Sequence, residues 1–434
     1  MADSIFTPDV RFAPWWWDAA PRPEPEDTPL PRNVDVAVVG AGFTGLCAAL
    51  TLARAGRSVL VLDAGPPGAG ASTRNGGMIG SGHRLGFAAL AGRYGRDKAA
   101  AVLREGLASL EFAADLIERE QIQCHLTRCG RFRAAWRARD YDAVGRETDL
   151  LRREIGLEAD MVPRAEQHKE VATEHYHGGC LYHRHGSLHP GLFHQGLLER
   201  ARAAGAGIIG HTPVIGLVRD GRGFALATPR GRTAARDVVI ATNGYTGPAT
   251  PGFRRRLVPV ASYIIATEPL GEAAVSRLIP GGRMIVETRS RGCYYRPSPD
   301  GQRILYGGRA ALRAIDPAAA AARLRRLLVQ LFPDLATVEI SHAWRGFVAF
   351  SRDHVPHVGV ADGIHFALGY NGSGVAMAPY LGHKVALKLL GSPDGATAFD
   401  DLAFRAIPFH GGRPWFLPFL DLYYRMLDRI EGSG

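Results

Sequence analysis

The segment Val34-Asp-Val-Ala-Val-Val-Gly40-Ala-Gly42-Phe-Thr-Gly45-Leu-Cys-Ala-Ala-Leu50 decides the fold of this chain. Its apolar start, residues 34–39, predicts a strand, and the good helix formers at 46–55 predict a helix that ends at Gly56. Three spaced glycines join the two elements: one turns the chain, one lets the backbone approach a pyrophosphate, and one lets helix and strand pack closely. Because N–H groups at such a helix start hold phosphates, the segment predicts a dinucleotide-binding site.

A second predicted strand, residues 58–62, ends at Asp63, eighteen positions after Gly45. In a dinucleotide-binding unit, a carboxylate at this spacing contacts the adenosine ribose. Residues 34–53 are also apolar and long enough to be compared with a transmembrane helix or a signal core. Asp35, the valine-rich start and the spaced glycines favour a buried parallel strand and its helix instead. No other long apolar run is present, so the sequence predicts no membrane span.

Two further glycine-rich stretches follow. Residues 65–80 form a loop where a nicotinamide enzyme would continue its alternating strands and helices. Its glycines leave the backbone uncovered, which is what close contact with a flat, extended ligand requires. Later, a predicted strand at 364–368 runs into Gly369-Tyr-Asn-Gly372-Ser-Gly374 and a helix at 378–390. For residues 65–80 the alternative is a flexible surface loop. For the later stretch the alternative is an ordinary strand-to-helix turn, but three glycines over six positions exceed what such a turn requires.

The composition is that of a globular protein of two domains. The chain has 434 residues, of which 46% are hydrophobic and 22% charged. The net charge is +10, yet the 52 basic residues include only four lysines, and the arginines are spread without a basic run. We interpret them as solvated faces and expect no nucleic-acid partner, although an acidic substrate can still be attracted.

Cysteine and histidine usage bears on compartment and metals. Five cysteines without a C-x-x-C pair predict a reducing, cytoplasmic location. His175, His177, His183, His185 and His189 cluster in the sequence, but further cysteine or carboxylate ligands are missing from the pattern. We therefore expect no metal site.

The pattern of elements predicts two interlocked domains. Trp15–Trp17 and the proline-rich stretch after them form an N-terminal arm, expected to pack on the body or on a partner subunit and less readily to contribute to the active site. Helices are expected at 97–120, 141–155 and 317–332, and mainly antiparallel strands between 258 and 308. The predicted units are the arm 1–33; a dinucleotide-binding domain of 34–96, 170–250 and 340–395; a substrate domain of 97–169 and 251–339; and a tail, 396–434.

The motifs occur in a characteristic order: G-A-G-F-T-G from Gly40, A-S-T-R-N-G-G from Ala71, H-G-S-L-H-P from His185, A-T-N-G-Y, W-R-G-F, G-Y-N-G-S-G-V, and a tail motif that contains Arg413. In this order the chain resembles the D-amino acid oxidase family of flavoproteins, in the branch that contains γ-glutamylputrescine oxidoreductase. The resemblance implies an α/β fold with a Rossmann-like FAD-binding domain interlocked with a substrate domain built on a mainly antiparallel sheet.

The resemblance also implies an activity. The expected reaction is FAD-dependent oxidation of a C–N bond in a γ-glutamylputrescine-like or secondary amine. Hydride passes to flavin N5, the resulting imine is hydrolysed by water to a carbonyl compound, and the electrons pass to dioxygen or another acceptor. The cofactor supplies the chemistry, while the protein supplies orientation and electrostatics.

Site residues follow from the same motifs. Expected cofactor-binding positions are Gly40, Gly42, Phe43, Thr44, Gly45, Asp63, Ala64, Ser72, Arg74, Asn75, Gly76, Gly77, Val214, Thr242, Asn243, Gly346, Tyr370, Asn371, Gly372, Ser373, Gly374 and Val375. Tyr295, Arg296 and Arg345 are candidates for substrate contact, with cross-strand pairing as the alternative. His83 is a candidate base or orienting group, and a surface histidine is the alternative. His189 is expected to fix a helix start rather than react.

Two departures from the family narrow the interpretation. Glycine oxidase-like members carry an arginine for the substrate's α-carboxylate at the position of Val348, so a plain α-amino acid is disfavoured here, with Arg345 or Arg296 as the alternative carboxylate partner. Sarcosine oxidase-like members attach flavin to a cysteine near residues 344–359, which contain none, and place a lysine where this chain has Ala376. We therefore expect non-covalent FAD.

Competing interpretations remain open at this point. One is a D-amino acid or secondary amino acid dehydrogenase, and another is a flavin-binding subunit without turnover of its own. A flavoprotein that modifies nucleic acid is disfavoured because the chain lacks a basic cluster. The oligomeric state, the amine and the acceptor are not determined by the sequence.

Overall fold

Two large β-sheets organise the computed structural model, which describes residues 4–289, 292–312, 314–412 and 414–430. The side chains of 425 and 427–430 are not described, and Arg413 of the expected tail motif lies outside the described residues. The strands are β1 Phe6–Arg11, β2 Asn33–Val39, β3 Val59–Leu62, β4 Met78–Ile79, β5 Arg131–Ala134, β6 Ala159–Val162, β7 Gly179–Tyr182, β8 Gly186–Ser187, β9 Gly207–Ile209, β10 Gly216–Asp220, β11 Gly223–Thr228, β12 Gly231–Ile240, β13 Leu257–Thr267, β14 Met284–Glu287, β15 Tyr294–Pro297, β16 Ile304–Gly308, β17 Ile340–Ser351, β18 His357–Ala361 and β19 Ile364–Leu368. The helices are α1 Trp16–Ala19, α2 Phe43–Arg54, α3 Phe87–Tyr94, α4 Arg96–Arg119, α5 Ala138–Ile155, α6 Pro190–Ala203, α7 Pro251–Arg254, α8 Glu272–Leu278, α9 Pro317–Leu331, α10 Gly374–Leu389 and α11 Leu417–Ile430.

The first sheet has a parallel centre. Strands β9, β3, β2 and β12 are neighbours in that order, and β19 continues the parallel pairing beside the second half of β12. The hairpin β10–β11 extends the first half of β12. Because parallel strands end at the same edge, the turns after β2, β3, β12 and β19 lie together, which is where α/β sheets bind ligands. A Cβ on Gly40 would lie 3.0 Å from the carbonyl oxygen of Ala241, so two of these turns touch.

Helices pack closely on this sheet. Helix α2 contacts α10, and a Cβ on Gly382 would lie 2.3 Å from the backbone oxygen of Thr44. Glycine therefore sets how near the two backbones approach. Helix α6 begins with Pro190 in its first turn, and Nδ1 of His189 accepts a hydrogen bond from the N–H of Leu192 at 3.1 Å. The expectation that His189 fixes a helix start is confirmed.

The second sheet has the order β1-β17-β13-β16-β15-β14-β5-β7-β6. Most of its neighbours are antiparallel, and β13 pairs with β17 from Leu257 opposite Ser351 to Thr267 opposite Ile340. Helix α9 covers one face, where Leu324, Leu328 and Leu331 are buried. The fold is thus the expected α/β arrangement of a parallel-centred sheet and a mainly antiparallel one.

Two domain boundaries differ from those expected. Strand β17 was expected in the dinucleotide-binding domain but belongs to the second sheet, because its whole length pairs with β13. The chain returns to the first sheet only at β18 and β19. Strand β7, expected in the first domain, likewise pairs with β5 and β6. Apolar composition marks these segments as strands, but pairing partners distant in sequence decide which sheet they join.

The arm is tied to the second sheet rather than free. Strand β1 runs parallel to β17, and Trp16 at the start of α1 is completely buried. Within the described residues, no helix is long and apolar enough to cross a membrane. The described part of the chain also holds no group of three or more histidine, cysteine, aspartate or glutamate side chains that could bind a metal ion.

Candidate active site

The first glycine turn is held by contacts that only glycine permits. Gly40 has φ +106°, a conformation that L side chains rarely adopt, and a Cβ on Gly45 would lie 1.9 Å from the carbonyl oxygen of Gly40. The Oγ of Ser72 accepts the N–H of Phe43 at 2.9 Å, which links the turn to the second glycine-rich loop. The ring of Phe43 itself packs on Phe193 in the core, so only its backbone faces the turn.

Asp63 stands at the end of β3, between two turns. Its Oδ2 accepts the N–H of Ala41 at 2.7 Å, and its Oδ1 accepts the N–H of Gly65 at 3.1 Å. Burial raises the pKa of this carboxyl, and the backbone N–H donors oppose the shift. Nearby, Ala64 is exposed and Val214 is partly buried. The carboxylate therefore orders the turns as well as lying where a ribose would be expected.

The second glycine-rich loop is braced by its own polar side chains. Oδ1 of Asn75 accepts the N–H of Gly77 at 2.8 Å, and its Nδ2 donates to Ala71 and Ser72. Arg74 donates from Nε to the carbonyl of Ala69 at 2.6 Å and from Nη1 to that of Arg345 at 3.1 Å. Both side chains are thus used to fix backbone.

The tryptophan arm holds the same loop from outside. Nε1 of Trp16 donates to the carbonyl of Asn75 at 2.9 Å, and Nε1 of Trp17 donates to Oγ1 of Thr73 at 2.8 Å. The guanidinium of Arg74 lies 4.7 Å from the ring centre of Trp17, a cation–π contact. The arm packs on the body, as expected, and it is absent from the cavity described below.

The turns after β12 and β19 complete this edge. Asn243 has φ +42°, and its Oδ1 accepts the N–H of Gly369 at 2.9 Å. Thr242 bonds to Thr246 at 2.8 Å. The hydroxyl of Tyr370 lies 2.6 Å from Oγ1 of Thr44, which joins the last turn to the start of α2. The turns expected to meet a dinucleotide therefore form one connected backbone surface.

A cavity of about 610 Å³ lies between this edge and the second sheet. We name its two sides. The cofactor wall comprises Arg74, Asn75, Gly76, Gly82, Gly346, Asn371, Gly372, Ser373 and Val375. The substrate wall comprises Arg131, Arg133, Glu147, Tyr182, His185, Glu287, Arg289 and Tyr294.

Of the four expected catalytic residues, only His83 lines the cavity. Burial lowers the pKa of His83 to about 4, so its ring is neutral at pH 7. Its Nε2 faces helix α4, where a Cβ on Gly106 would lie 2.7 Å away. The ring is therefore fixed by packing, and Nε2 is buried without a hydrogen bond within the described residues.

The other three candidates lie elsewhere. Tyr295 is completely buried in the core of the second sheet, with its hydroxyl 2.9 Å from that of Tyr176. Arg296 donates to the carbonyls of Gly77 and Leu188, at 2.9 and 2.8 Å. Arg345 donates to the carbonyl of Ile315 at 3.3 Å. The alternative given for these residues was cross-strand pairing. Tyr295 makes such a pair, because its ring stacks on that of Tyr306 in β16, whereas Arg296 and Arg345 donate to backbone carbonyls outside the strands beside them.

Sequence reasoning missed the polar side chains of the substrate wall. In β15 the tyrosine that faces the cavity is Tyr294, since neighbouring strand residues point to opposite faces. In β5, Arg131 and Arg133 face the cavity while Phe132 and Ala134 are buried in the core. The signal was present in the alternating pattern R-F-R-A, where two arginines share one face of a strand.

The residues of the cofactor wall fit a dinucleotide with an extended ring system. Helices α2 and α10 both begin at this edge, and no side chain of the N-cap residue, Gly42 or Ser373, satisfies their first N–H groups. Gly372 has φ +104°, and a Cβ there would meet open space. At α2 the N–H of Phe43 is taken by Ser72, and the remaining first-turn N–H groups of the two helices stabilise negative charge, which suits a pyrophosphate at α2 and a reduced ring at α10. Fold and site together define a dinucleotide-dependent oxidoreductase.

Comparison with known proteins specifies the class. The family model described as FAD dependent oxidoreductase matches residues 35–387, and the chain belongs to this D-amino acid oxidase-type family. A relative from Rhizobium meliloti (strain 1021), "Probable oxidoreductase OrdL", is 32% identical over 96% of this chain and 97% of its own length. "Gamma-glutamylputrescine oxidoreductase" of Escherichia coli (strain K12) is 30% identical over 91% of this chain and 93% of its own. The crystal structure of glycine oxidase from Geobacillus kaustophilus has a TM-score of 0.72 at 24% identity and covers 87% of this chain and 99% of its own, which supports the fold.

The protein is thus an enzyme that uses FAD to oxidise a small molecule and passes the electrons to an acceptor. The expected family, fold class and cofactor are confirmed.

Proposed function

We propose that this enzyme oxidises a C–N bond of an amine of the γ-glutamylputrescine type or of a secondary amine. The supporting observation is the cavity of about 610 Å³, which lies between a glycine-rich cofactor wall and a substrate wall rich in arginine. A second support is Val348, which lines the cavity at the position where glycine oxidase-like members carry their carboxylate-binding arginine. An apolar side chain there leaves no partner for an α-carboxylate next to the reacting carbon.

FAD, when bound, supplies the two-electron oxidant that takes a hydride from the carbon next to the amine nitrogen. The chain's own residues bind and orient the reactants. The proposed cofactor contacts are the backbone of the glycine turns, Asp63 for the ribose and the start of α10 for charge on the ring system. His83 is neutral at pH 7 because burial lowers its pKa to about 4, so it does not add positive charge beside the substrate.

The substrate amine binds as the free base in this proposal. An unprotonated nitrogen has the lone pair that assists hydride departure, and the arginines of the substrate wall disfavour an ammonium group. Water then hydrolyses the imine to a carbonyl compound and an amine. The proposal retains the cytoplasmic location expected from the sequence, in keeping with five cysteines that form no disulfide.

The decisive experiment is anaerobic flavin reduction. The purified holoenzyme is mixed without air with polyamines, γ-glutamyl amines, N-methyl amino acids and D-amino acids, and the flavin absorbance is followed. Reduction by an amine whose reacting carbon bears no carboxylate, such as a polyamine or the amine end of a γ-glutamyl amine, supports the proposal. Reduction by amino acids alone favours the dehydrogenase alternative, and a flavin that no amine reduces favours a non-catalytic subunit.

The mode of FAD attachment gives a separate prediction. Cys293 lines the cavity, but the residue is only 5% exposed and its Sγ packs beside Gly308 in the second sheet. We expect heat or acid to release FAD into the supernatant, and Cys293→Ser to release it equally. Flavin that stays with the precipitated wild-type chain, and is freed by Cys293→Ser, would contradict non-covalent binding.

A further inference from the structure

Strand β5 presents two arginines to the cavity, and their surroundings differ. Nη1 of Arg133 lies 2.8 Å from Oε2 of Glu147, so its charge is balanced on the same wall. Arg289 is balanced in the same way by Glu287, with Nε 2.6 Å from Oε2. Within the described residues, Arg131 has neither a hydrogen bond nor an ion pair, and its Nε is buried. An arginine that lines a cavity without a counter-charge attracts an anion from solution.

His185 supplies a second donor beside Arg131. The N–H of Ser81 can only donate, and it donates to Nε2 of His185 at 3.2 Å. The proton of the neutral ring is therefore on Nδ1, which is buried and has no partner within the described part of the chain. The ring stacks on Tyr182 at 5.0 Å, which fixes its orientation. Burial, with a smaller contribution from Arg131, lowers the pKa of His185 well below 6.5 and keeps the ring neutral.

The two donors converge on one point above Gly80. Nη2 of Arg131 and Nδ1 of His185 each lie 2.8 Å from the position that a Cβ on Gly80 would occupy. Any other residue at position 80 would therefore place a methyl group between the two nitrogens. Glycine at this position therefore lets the guanidinium and the imidazole N–H lie side by side against the backbone, and both side chains line the cavity.

We propose that Arg131 and His185 form a carboxylate-binding subsite that holds the acidic end of the amine substrate. This inference rests on the proposed function. A guanidinium presents two parallel donors to a planar anion with two oxygens, and the imidazole N–H adds a third donor from the side. The subsite lies on β5, whereas the carboxylate-binding arginine of glycine oxidase-like members corresponds to Val348 on β17. A carboxylate bound on β5 instead of β17 belongs to a substrate whose reacting amine lies at a distance from its acidic end.

The first test measures binding without turnover. Glutarate is titrated into the FAD-loaded enzyme, by calorimetry and by the change in flavin absorbance. We expect Arg131→Met to weaken binding by about 30-fold or more, since losing one partner of a desolvated charge pair has an effect of that size. The control is Arg202→Met/Glu26→Leu, which removes an arginine together with its counter-charge outside the cavity and should retain glutarate binding.

Gly80→Ala provides a second variant that keeps both donors but pushes them apart, because its Cβ would lie 2.8 Å from each nitrogen. It should also weaken glutarate binding, which guards against a folding defect in Arg131→Met. FAD content is measured for every variant. Equal glutarate affinity in wild type, Arg131→Met and Gly80→Ala would overturn the proposal. A second result would also overturn it: Arg131→Met loses FAD, and its glutarate affinity equals that of wild type once FAD is restored. Arg131 would then serve to bind the cofactor.

The second test compares two amines that differ in one group. One is putrescine acylated on one nitrogen by glutaric acid, with a free carboxylate, and the other carries a carboxamide in its place. We expect the flavin of wild type to be reduced about 30-fold more efficiently by the carboxylate compound than by the carboxamide. In Arg131→Met the ratio of the two efficiencies should be close to one. A ratio unchanged in Arg131→Met would overturn the subsite. If neither amine reduces wild type, the proposed function fails, while the glutarate titration still decides the subsite.

Discussion

The two walls of the cavity use polar groups in opposite ways. On the cofactor wall, the side chains of Arg74, Asn75 and Asn371 form hydrogen bonds with the backbone. Arg74 donates to carbonyls, and the two asparagines accept from the N–H groups of Gly77 and Ser351. On the substrate wall, charged side chains face the cavity or one another. Under the proposed function, the cofactor therefore meets mainly peptide groups in a fixed position, whereas the substrate meets side chains.

This difference has a physical consequence. A backbone surface changes only if the chain moves, so a substitution there acts through steric conflict and affects cofactor and fold together. A side-chain surface changes one group at a time, so a substitution there alters affinity or local stability. One wall can therefore remain constant while the other is altered for different amines, and the predictions below test that contrast.

Gly45→Ala should have the largest effect, because it attacks the backbone surface directly. The added Cβ would lie 1.9 Å from the carbonyl oxygen of Gly40, and helix α2 cannot move away without losing its contacts with α10. We expect loss of bound FAD and little folded protein, measured by flavin content and thermal unfolding. The control is Gly92→Ala in α3, where a Cβ meets nothing within 4 Å; it should stabilise the helix by up to ~1 kcal/mol. If Gly45→Ala folds and binds FAD normally, the cofactor wall does not depend on the close backbone approach described above.

Trp16→Ala should have the next largest effect. The completely buried ring packs with Ile264, Leu305 and Trp344, and its Nε1 donates to the loop carbonyl of Asn75. Removing a buried tryptophan costs about 3–5 kcal/mol. We expect a lower unfolding temperature and weaker FAD binding, since the loop loses its outer support. Trp415→Ala is the control, because that ring is 60% exposed. Unchanged FAD affinity in Trp16→Ala would show that the arm supports only the second sheet.

The cofactor wall could be predicted from the sequence because its determinants are local. The spacing of Gly40, Gly42 and Gly45 and the position of Asp63 depend on one strand, one turn and one helix. Nine of the positions expected to bind the cofactor or react line the cavity: Arg74, Asn75, Gly76, His83, Gly346, Asn371, Gly372, Ser373 and Val375.

The substrate wall could not be predicted in the same way. Which residues face the cavity depends on the register of strands far apart in sequence, and an error of one position exchanges the two faces. Tyr295 was expected where Tyr294 is found for this reason. Arg296 and Arg345 were expected to meet a substrate because they are charged, yet their guanidinium groups donate to backbone carbonyls. Sequence does not reveal which buried arginine already has a partner.

Glu287→Gln tests whether charges on the substrate wall are balanced in pairs. Glu287 accepts from the hydroxyl of Tyr176 at 2.7 Å and from Arg289, and both members of the ion pair are buried. Leaving Arg289 unpaired should cost about 3 kcal/mol of unfolding free energy. Glu147→Gln is the control, because its pair with Arg133 is partly exposed; its cost should be below ~1 kcal/mol. Glu287→Leu/Arg289→Met should recover much of the loss, and equal costs for the two single variants would contradict the difference in burial.

His194 gives the smallest effect at neutral pH and connects the arm to the first glycine turn. Its Nε2 donates to the carbonyl of Ala41 at 2.7 Å, and Nδ1 accepts from Nη1 of Arg22 at 3.2 Å. Burial, and then the charge of Arg22, lowers the pKa of His194 from 6.5 to about 3. Between these two pH values, His194 is therefore protonated in the unfolded chain and neutral in the folded chain. The stabilisation is complete above pH 6.5 and is lost as pH falls toward 3, by up to about 1.4 kcal/mol per pH unit.

His194→Gln should remove this part of the acid dependence. A glutamine keeps a donor and an acceptor but does not titrate, so the unfolding free energy of the variant should fall less steeply between pH 6.5 and 3 than that of wild type. Denaturant unfolding at each pH measures the slope, and flavin fluorescence in the supernatant reports FAD release. Protonation of Nδ1 opposes the hydrogen bond from Arg22, so wild type should lose FAD at a higher pH than the variant. Identical slopes with an earlier FAD loss in the variant would mean that the ring serves only to pack beneath Gly68, whose missing Cβ leaves room for it.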